Sequence, residues 1–388
     1  MTSTLHYLDH NATSSLRPEA RKAMDRVLTT DGNPSSAHRA GRAGRAVVEC
    51  ARAEVAALIG ADSGDVIFGS GGAEANALAL WGAVQGAADA GCPIKALCLS
   101  AVEHDSILNT AAAIAQRLPA IRLVLIPVTE LGVVDLDALR RAQNDIDGRV
   151  LVAVMAANNE TGVIQPVLDV VRLARDADGL CLIDAVQSCG KVATDFANLG
   201  VDYLTISAHK LGGPQGVGAL VAREGAPLVP QIVGGNQEKN RRAGTENVVG
   251  IAGFGAAAKV CGQDDMAQLA KLRDGFETGL RSRFADVSIF GEKAHRLANT
   301  SCFALPGIAA ETALIALDLD GVMVSSGAAC SSGKVKPSHV LQAMGVSADL
   351  ARSALRVSLG WDSDETDVEA ALASLEKLCA RAQSRRAA

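Results

Sequence analysis

Nowhere does the chain offer about 18 uninterrupted apolar residues, the length a membrane-spanning helix requires. Its longest apolar stretch, 150–157, is only long enough for a buried strand. The opening Met1-Thr-Ser-Thr-Leu-His6 lacks a basic region followed by an apolar one, so no secretory leader is expected. A basic excess is missing too. Lys and Arg number 37 against 43 Asp and Glu, a formal charge of -6, which argues against direct nucleic-acid binding. The nine cysteines show neither CxxC spacing nor a Cys/His metal pattern, and their number is odd. In a chain of this size that points to reduced thiols, a cytoplasmic setting and no intrinsic metal. Internal repeats and low-complexity linkers are also lacking.

What is present is the balance of a soluble globular enzyme: 48% hydrophobic and 21% charged residues. The 388 residues exceed one ordinary core and suffice for two domains. Between about residues 60 and 222, short apolar runs alternate with amphipathic ones. Strands are predicted at 66–68, 97–99, 122–126, 151–155, 181–183, 203–206 and 217–221, and helices at 74–90, 107–117 and 168–177. This rhythm predicts an α/β domain with a mainly parallel sheet, whose ligands collect at the carboxyl ends of the strands. A long helical pattern at 264–283 leads to strands near 287–290, 299–304 and 354–358 and a closing helix from Glu365. The expected division is a large domain, 15–262, and a small one made of 1–14 and 263–388.

Several polar residues fall at the predicted strand ends. In Tyr203-Leu-Thr-Ile-Ser207-Ala-His209-Lys210-Leu-Gly-Gly-Pro, a lysine follows an apolar strand and precedes a glycine-rich turn. Burial there would lower the amine's pKa and free it for a Schiff base, with Ser207 and His209 as phosphate donors; a lysine at a loop edge is the plain alternative. Asp184 ends the run Leu182-Ile183-Asp184, and Gln187 follows three residues later. An acid so placed can keep a pyridine nitrogen protonated, although aspartate is also a common helix cap. Together, Lys210 and Asp184 fit pyridoxal phosphate. The turn Gly69-Ser70-Gly71-Gly72-Ala73-Glu74 opens a helix and can meet an anion with backbone N–H groups. A nicotinamide fingerprint fails here, since Glu74 stands where glycine is required and no strand-end acid follows about 20 residues later. His104 can stack on a ring and shuttle protons, though most single histidines are structural. Cys98 and Cys181, in apolar runs, read as small core hydrophobes. Cys330 lies instead in Ser325-Ser-Gly-Ala-Ala-Cys330-Ser-Ser-Gly-Lys334, a segment of small residues beside lysines, which suits a mobile thiol and equally an ordinary turn. Arg356, in Leu355-Arg-Val-Ser358, is either an inward carboxylate clamp or an exposed strand arginine.

These runs resemble the cysteine desulfurases of the NifS/IscS type, fold-type-I pyridoxal-phosphate enzymes of the class-V aminotransferase group. The resemblance covers nearly the whole chain. It includes Tyr7-Leu-Asp-His-Asn-Ala-Thr13, Gly32-Asn-Pro-Ser-Ser-Ala-His38, Glu103-His104, Asn158-Asn-Glu-Thr-Gly162, Asp184-Ala-Val-Gln187, Ser207-Ala-His-Lys210, Arg242-Ala-Gly-Thr-Glu-Asn247, the segment around Cys330, and residues 355–360. It implies a large domain with a mainly parallel seven-stranded sheet plus a smaller α+β C-terminal domain. It also implies that Lys210 carries the cofactor and moves protons at the substrate Cα. Asp184 would pair with the ring nitrogen, Gln187 with the phenolic oxygen, and His104 with the ring face. Gly72, Ala73, Ser207 and His209 would hold the phosphate, with Thr245 from a neighbouring subunit of a homodimer. Asn159 and Arg356 would hold the carboxylate of L-cysteine. Cys330 would take the sulfur as a persulfide and pass it to an acceptor protein. An iron–sulfur scaffold is the expected acceptor, with Cys330 a transient cluster ligand shared with it; tRNA or DNA thiolation remains an alternative use. Ala73 stands where the family often has threonine, so weaker cofactor retention is expected, by about 1 kcal/mol. His10 receives no role. An aminotransferase or selenocysteine lyase shares the Lys210 and Asp184 chemistry, and Cys330 argues against transamination. A non-catalytic partner protein of the same fold is the reading from another class.

Overall fold

The computed structural model describes residues 5–326, 330–331, 334–335 and 338–387, with side chains described for 5–326 and 338–381. In chain order the strands are β1 (His6–Tyr7), β2 (Val66–Gly69), β3 (Ala96–Ser100), β4 (Arg122–Ile126), β5 (Val150–Met155), β6 (Leu180–Asp184) and β7 (Tyr203–Ser207). They continue with β8 (Gly218–Ala222), β9 (Ser288–Ile289), β10 (Thr300–Ala304), β11 (Val322–Met323), β12 (Cys330–Ser331), β13 (Lys334–Val335) and β14 (Ala354–Ser358). Seven of them form one sheet in the order β2-β8-β7-β6-β5-β3-β4. Pairings among β3, β4, β5, β6 and β7 are parallel, while β8 runs against both of its neighbours. All seven expected strands are present, with ends shifted by a residue or so.

The sheet is apolar on both faces, which is why its strands read as continuous hydrophobic runs. Along β5, Val150, Val152 and Val154 join one core, with helices Arg39–Leu58, Val167–Asp176 and Val248–Cys261. Leu151 and Ala153 point the other way, into a core shared with helices Gly72–Asp89 and Asp105–Arg117. Cys98 and Cys181 sit fully inside, and burial pushes both thiols up, Cys98 to about 11. They pack and do no chemistry.

A third core joins Leu8 to residues of helices Met266–Arg283 and Glu365–Ala387 and of strands β10 and β14. The N-terminal segment is woven into this part of the molecule. β1 pairs in parallel with β11, and the Leu8 and His10 amides then donate to Met323 and Ser358 at 2.8 and 3.2 Å. Strand β10 pairs antiparallel with β14 across five residues of each, and with β9. The chain thus leaves β1 sandwiched between late elements and proceeds at residues 9–14 toward the carboxyl ends of the large sheet.

One strained turn stands out. Glu238, Lys239 and Asn240 all have left-handed backbones, with φ of 46, 56 and 64°. Such conformations cost non-glycine residues on the order of 1 kcal/mol or more each. The Glu238 carboxylate holds the turn in place by accepting from Arg52 Nη1 and Nη2, at 2.6 and 2.8 Å, and from the Phe68 amide at 2.9 Å.

Candidate active site

The carboxyl ends of β2, β3, β5, β6 and β7 deliver the polar residues to one place. After β2, Gly71 takes φ of 154°, and its backbone abuts Gly218. A Cβ on Gly218 would lie 2.7 Å from the Gly71 carbonyl carbon. Glycine is therefore required where the turn meets β8. Helix Gly72–Asp89 begins at this turn, so its first amides face outward from a helix N-terminus. A Cβ on Gly72 would lie 3.0 Å from Val186 and 3.7 Å from the Ser207 Cβ, so the missing side chain leaves a concavity at this helix end. The Ser207 hydroxyl is buried beside it without a hydrogen-bond partner among the described residues. A buried orphan donor costs free energy unless a ligand satisfies it. Glu74 folds back onto the start of the turn, accepting from the Ser70 amide at 2.8 Å and pairing with Arg242 at 2.8 Å. Those contacts hold its carboxyl below the usual range, against desolvation.

Lys210 ends the short turn that follows β7. Its ammonium donates to the backbone oxygens of Asn11 and Ala12 at 2.5 and 2.7 Å, and among the described residues it has no carboxylate in ion-pair reach. Burial, then the charges of Arg356 and Lys191, push its pKa down to about 7. His209 beside it is lowered to about 4 by burial and by Lys210, so its ring is neutral, with Nδ1 3.2 Å from the Thr13 hydroxyl.

Asp184 ends β6, 5% exposed. One oxygen accepts from the Val186 amide and the other from Asn76 Nδ2, each at 2.9 Å. Asn76 also accepts from the Thr205 hydroxyl at 2.7 Å. Gln187 is buried and donates through Nε2 to the Asn11 backbone oxygen at 2.9 Å, the atom that also receives Lys210. His104 caps helix Asp105–Arg117. Its Nδ1 accepts from the Ser106 amide at 3.1 Å, which fixes the ring proton of neutral His104 on Nε2. Its side chain is exposed within the single chain.

Arg356, on β14, faces inward as the clamp reading required. Nη1 donates to the Asn159 backbone oxygen at 2.8 Å and Nη2 to Asp9 at 2.5 Å, while Nε is buried without a partner among the described residues. Thr245 is exposed, three residues past the Arg242–Glu74 pair.

Two kinds of comparison place this constellation. Residues 6–371 match the aminotransferase class-V family. The cysteine desulfurase IscS of Dictyoglomus turgidum is 40% identical over 376 residues, covering 96% of this chain and 94% of that protein. This chain belongs to the class-V aminotransferase family, among its cysteine desulfurases. The NifS-like protein of Rickettsia africae superposes with a TM-score of 0.86 at 33% identity, covering 96% of this chain and 99% of that one. SspA, solved in complex with cysteine, superposes with a TM-score of 0.80 at 27% identity, covering 91% and 98%.

In this desulfurase the Cys330 side chain, and with it the expected mobility of its segment, lies outside the described residues. The backbone of Cys330–Ser331 pairs with Lys334–Val335. The residues on either side of the segment are tied to the site. Ser325 and Arg356 exchange backbone hydrogen bonds of 3.1 and 2.7 Å. The Ser338 hydroxyl donates to buried Glu160, and His339 Nε2 lies 3.0 Å from the Glu103 carbonyl. Burial raises the Glu160 carboxyl to about 7, with Ser338 and Arg356 opposing. Complete burial, and then the charge of Asp184, raises the Glu103 carboxyl well above its ordinary range. Asp9, Asn11, Asn76, Glu103, Glu160 and Lys191 were not assigned roles from the sequence. Asn76 left the clearest signal, a polar side chain among alanines and leucines on a buried helix face.

Proposed function

We propose that this desulfurase binds pyridoxal 5'-phosphate on Lys210, removes sulfur from L-cysteine to leave L-alanine, and carries the sulfur as a persulfide on Cys330. The observation that carries the reading is the Lys210 amine, half-buried, with no carboxylate partner among the described residues and lowered to about 7. An amine so lowered is a nucleophile at neutral pH, where an ordinary lysine is not.

The residues present fit the cofactor. The unpartnered Ser207 hydroxyl and the concavity at Gly72, with Ala73 and neutral His209, suit a phosphate at a helix N-terminus. Asp184, oriented by Asn76 and the Val186 amide, would hold the ring nitrogen, Gln187 the phenolic oxygen, and His104 the ring face. When bound, the cofactor supplies an electron sink that loosens bonds at the substrate's carbons.

The protein's own groups do the rest. Arg356 offers its free Nε, and Asn159 its side chain, to the substrate carboxylate. Neutral Lys210 takes and returns a proton at the substrate Cα. The Cys330 thiolate attacks the substrate sulfur. A sulfur–sulfur bond forms as the carbon–sulfur bond breaks, and the carbon left behind gains a proton to become the alanine methyl. The persulfide then passes to an acceptor thiol by exchange.

An iron–sulfur scaffold is the acceptor that fits the relatives' IscS and NifS names, with Cys330 a transient ligand at hand-over; thiolation of tRNA or DNA is the other use. Exposed Thr245, on a loop anchored by Arg242, suits a contact with a partner's phosphate in a homodimer. No helix among the described residues is long and apolar enough to cross a membrane, and a cytoplasmic setting accords with the reduced cysteines. We further propose that 15–262 and the assembled 1–14 with 263–388 act as the large and small domains.

The test is direct. The purified protein with pyridoxal phosphate should turn yellow, bleach with borohydride at Lys210, and, with a dithiol reductant to discharge the persulfide, release sulfide and alanine from cysteine in equal amounts. Cys330→Ala should lose sulfide while keeping the colour. Turnover of cysteine to a keto acid, or full sulfide release by Cys330→Ala, refutes the assignment.

A further inference from the structure

Lys191 is a second half-buried lysine near the site, and the chemistry above gives it nothing to do. Its ammonium donates to the Gln187 backbone oxygen at 3.1 Å and to Gln187 Oε1 at 3.3 Å. Among the described residues it makes no salt bridge; the charges of Arg356, Lys210 and Asp264 and the ring of His10 lie near it, with the Cys189 and Cys261 thiols beside it. A desolvated cation without a carboxylate partner is a poor stabilising device. Its partner is informative instead.

A glutamine amide has one accepting and one donating end of nearly the same shape. An ammonium only donates, so the end of Gln187 it touches must be the oxygen. Nε2 is thereby turned the other way, toward the Asn11 carbonyl and Lys210. We propose that Lys191 is a positioning residue that sets the polarity of the Gln187 amide, so that its N–H group and not its oxygen is presented to the cofactor's phenolic oxygen. This rests on the cofactor reading above. In the protein as described, Asn11 reinforces the same polarity. Once Nε2 is directed to the ring oxygen in place of Asn11, Lys191 is the contact that still forbids the flipped amide. A flipped amide would set two oxygens against each other.

The test measures cofactor affinity, not turnover. Cofactor-free wild type, Lys191→Met, Gln187→Leu and the double variant are titrated with pyridoxal phosphate and with its 3-deoxy analogue, which lacks the phenolic oxygen. Lys191→Met should weaken pyridoxal phosphate about tenfold, the scale of one charge-assisted hydrogen bond. The double variant should be no weaker than Gln187→Leu alone, because the two residues act through one contact. Against the 3-deoxy analogue, Lys191→Met should match wild type. Lys191→Arg, which keeps a donor, should recover most of the affinity. An equal loss for both ligands, or additive losses in the double variant, overturns the inference and leaves a merely structural lysine. If Lys191→Met does not fold, Lys191→Gln and Lys191→Arg decide it: an equal loss for the two ligands in Lys191→Gln, with Lys191→Arg no closer to wild type, would again overturn the inference. Should wild type itself fail to bind pyridoxal phosphate, the cofactor reading fails first, and the two failures are distinct.

Discussion

Arg356 holds the carboxylate of Asp9 at 2.5 Å, joining positions 347 residues apart in the chain. A second guanidinium nitrogen is spent on Asn159, and the third, Nε, is buried and free. Asp9 thus fixes the plane of the fork and leaves Nε, without a partner among the described residues, for an incoming carboxylate. Lysine keeps the charge and loses the fork. Arg356→Lys should lower kcat/KM for cysteine about 10- to 100-fold, chiefly through KM, as loss of about 1.5–3 kcal/mol at a charged hydrogen bond predicts. Steady-state kinetics with cysteine checks it.

Lys210 is lowered from an ordinary lysine's range to about 7. In the cofactor-free protein, its acylation should rise with a midpoint near pH 7, while surface lysines react only at far higher pH. The stability sign follows from linkage. Between about pH 7 and the ordinary value, the unfolded chain binds the proton that the folded one has released, so stability rises with pH across that window. Below about pH 7 the penalty is fully present. Lys210→Met should therefore stabilise the cofactor-free protein most at neutral and acid pH, read by urea unfolding.

Glu160 gives the opposite slope. Its carboxyl is raised to about 7 by burial, so between its ordinary value of 4.5 and about 7 the folded chain binds the extra proton. Stability contributed by this group is lost as pH rises through that window. Glu160→Gln should flatten that part of the stability profile. An unchanged slope would mean that Glu160 takes up no extra proton on folding.

Ser207 and Ala73 bear on the phosphate in opposite directions. Ser207→Ala removes a buried, unpartnered hydroxyl, so the cofactor-free protein should melt no lower than wild type, while cofactor affinity falls about fivefold, or about 1 kcal/mol. Ala73→Thr should strengthen affinity by a similar factor. Absorbance titration measures both.

Removing one partner of a buried ion pair strands the other. Arg52 and Glu238 are both buried, and Glu238 also anchors a left-handed turn. Glu238→Ala should cost about 3–5 kcal/mol in urea unfolding, more than loss of any exposed pair in the molecule.

The sequence made the large sheet legible because its strands are apolar on both faces and lie between turn residues, as β5 and β6 illustrate. Lys210, Asp184 and the glycine turn were legible for a related reason: each ends an apolar run, which is where a parallel sheet presents its ligands. Asp9 and Glu160 were harder to read, because their partners, Arg356 and Ser338, come from elements that follow far later, and no periodicity connects them. Lys191 was hidden in another way. Only a hydrogen bond to a neighbouring amide separates it from a surface lysine four residues past Gln187, and spacing alone carries no such bond.

Synthesis order gives the threaded N-terminus a further meaning. Every strand of the large sheet has been made by Ala222, yet Asp9 and Asn11 cannot settle until β10 and β14, and with them Arg356, leave the ribosome. The lysine amine then has no carbonyl seat at Asn11 until translation is almost complete. A fusion or deletion that displaces residues 6–13 should therefore unseat Lys210 and Arg356 together, although both stand far along the polypeptide.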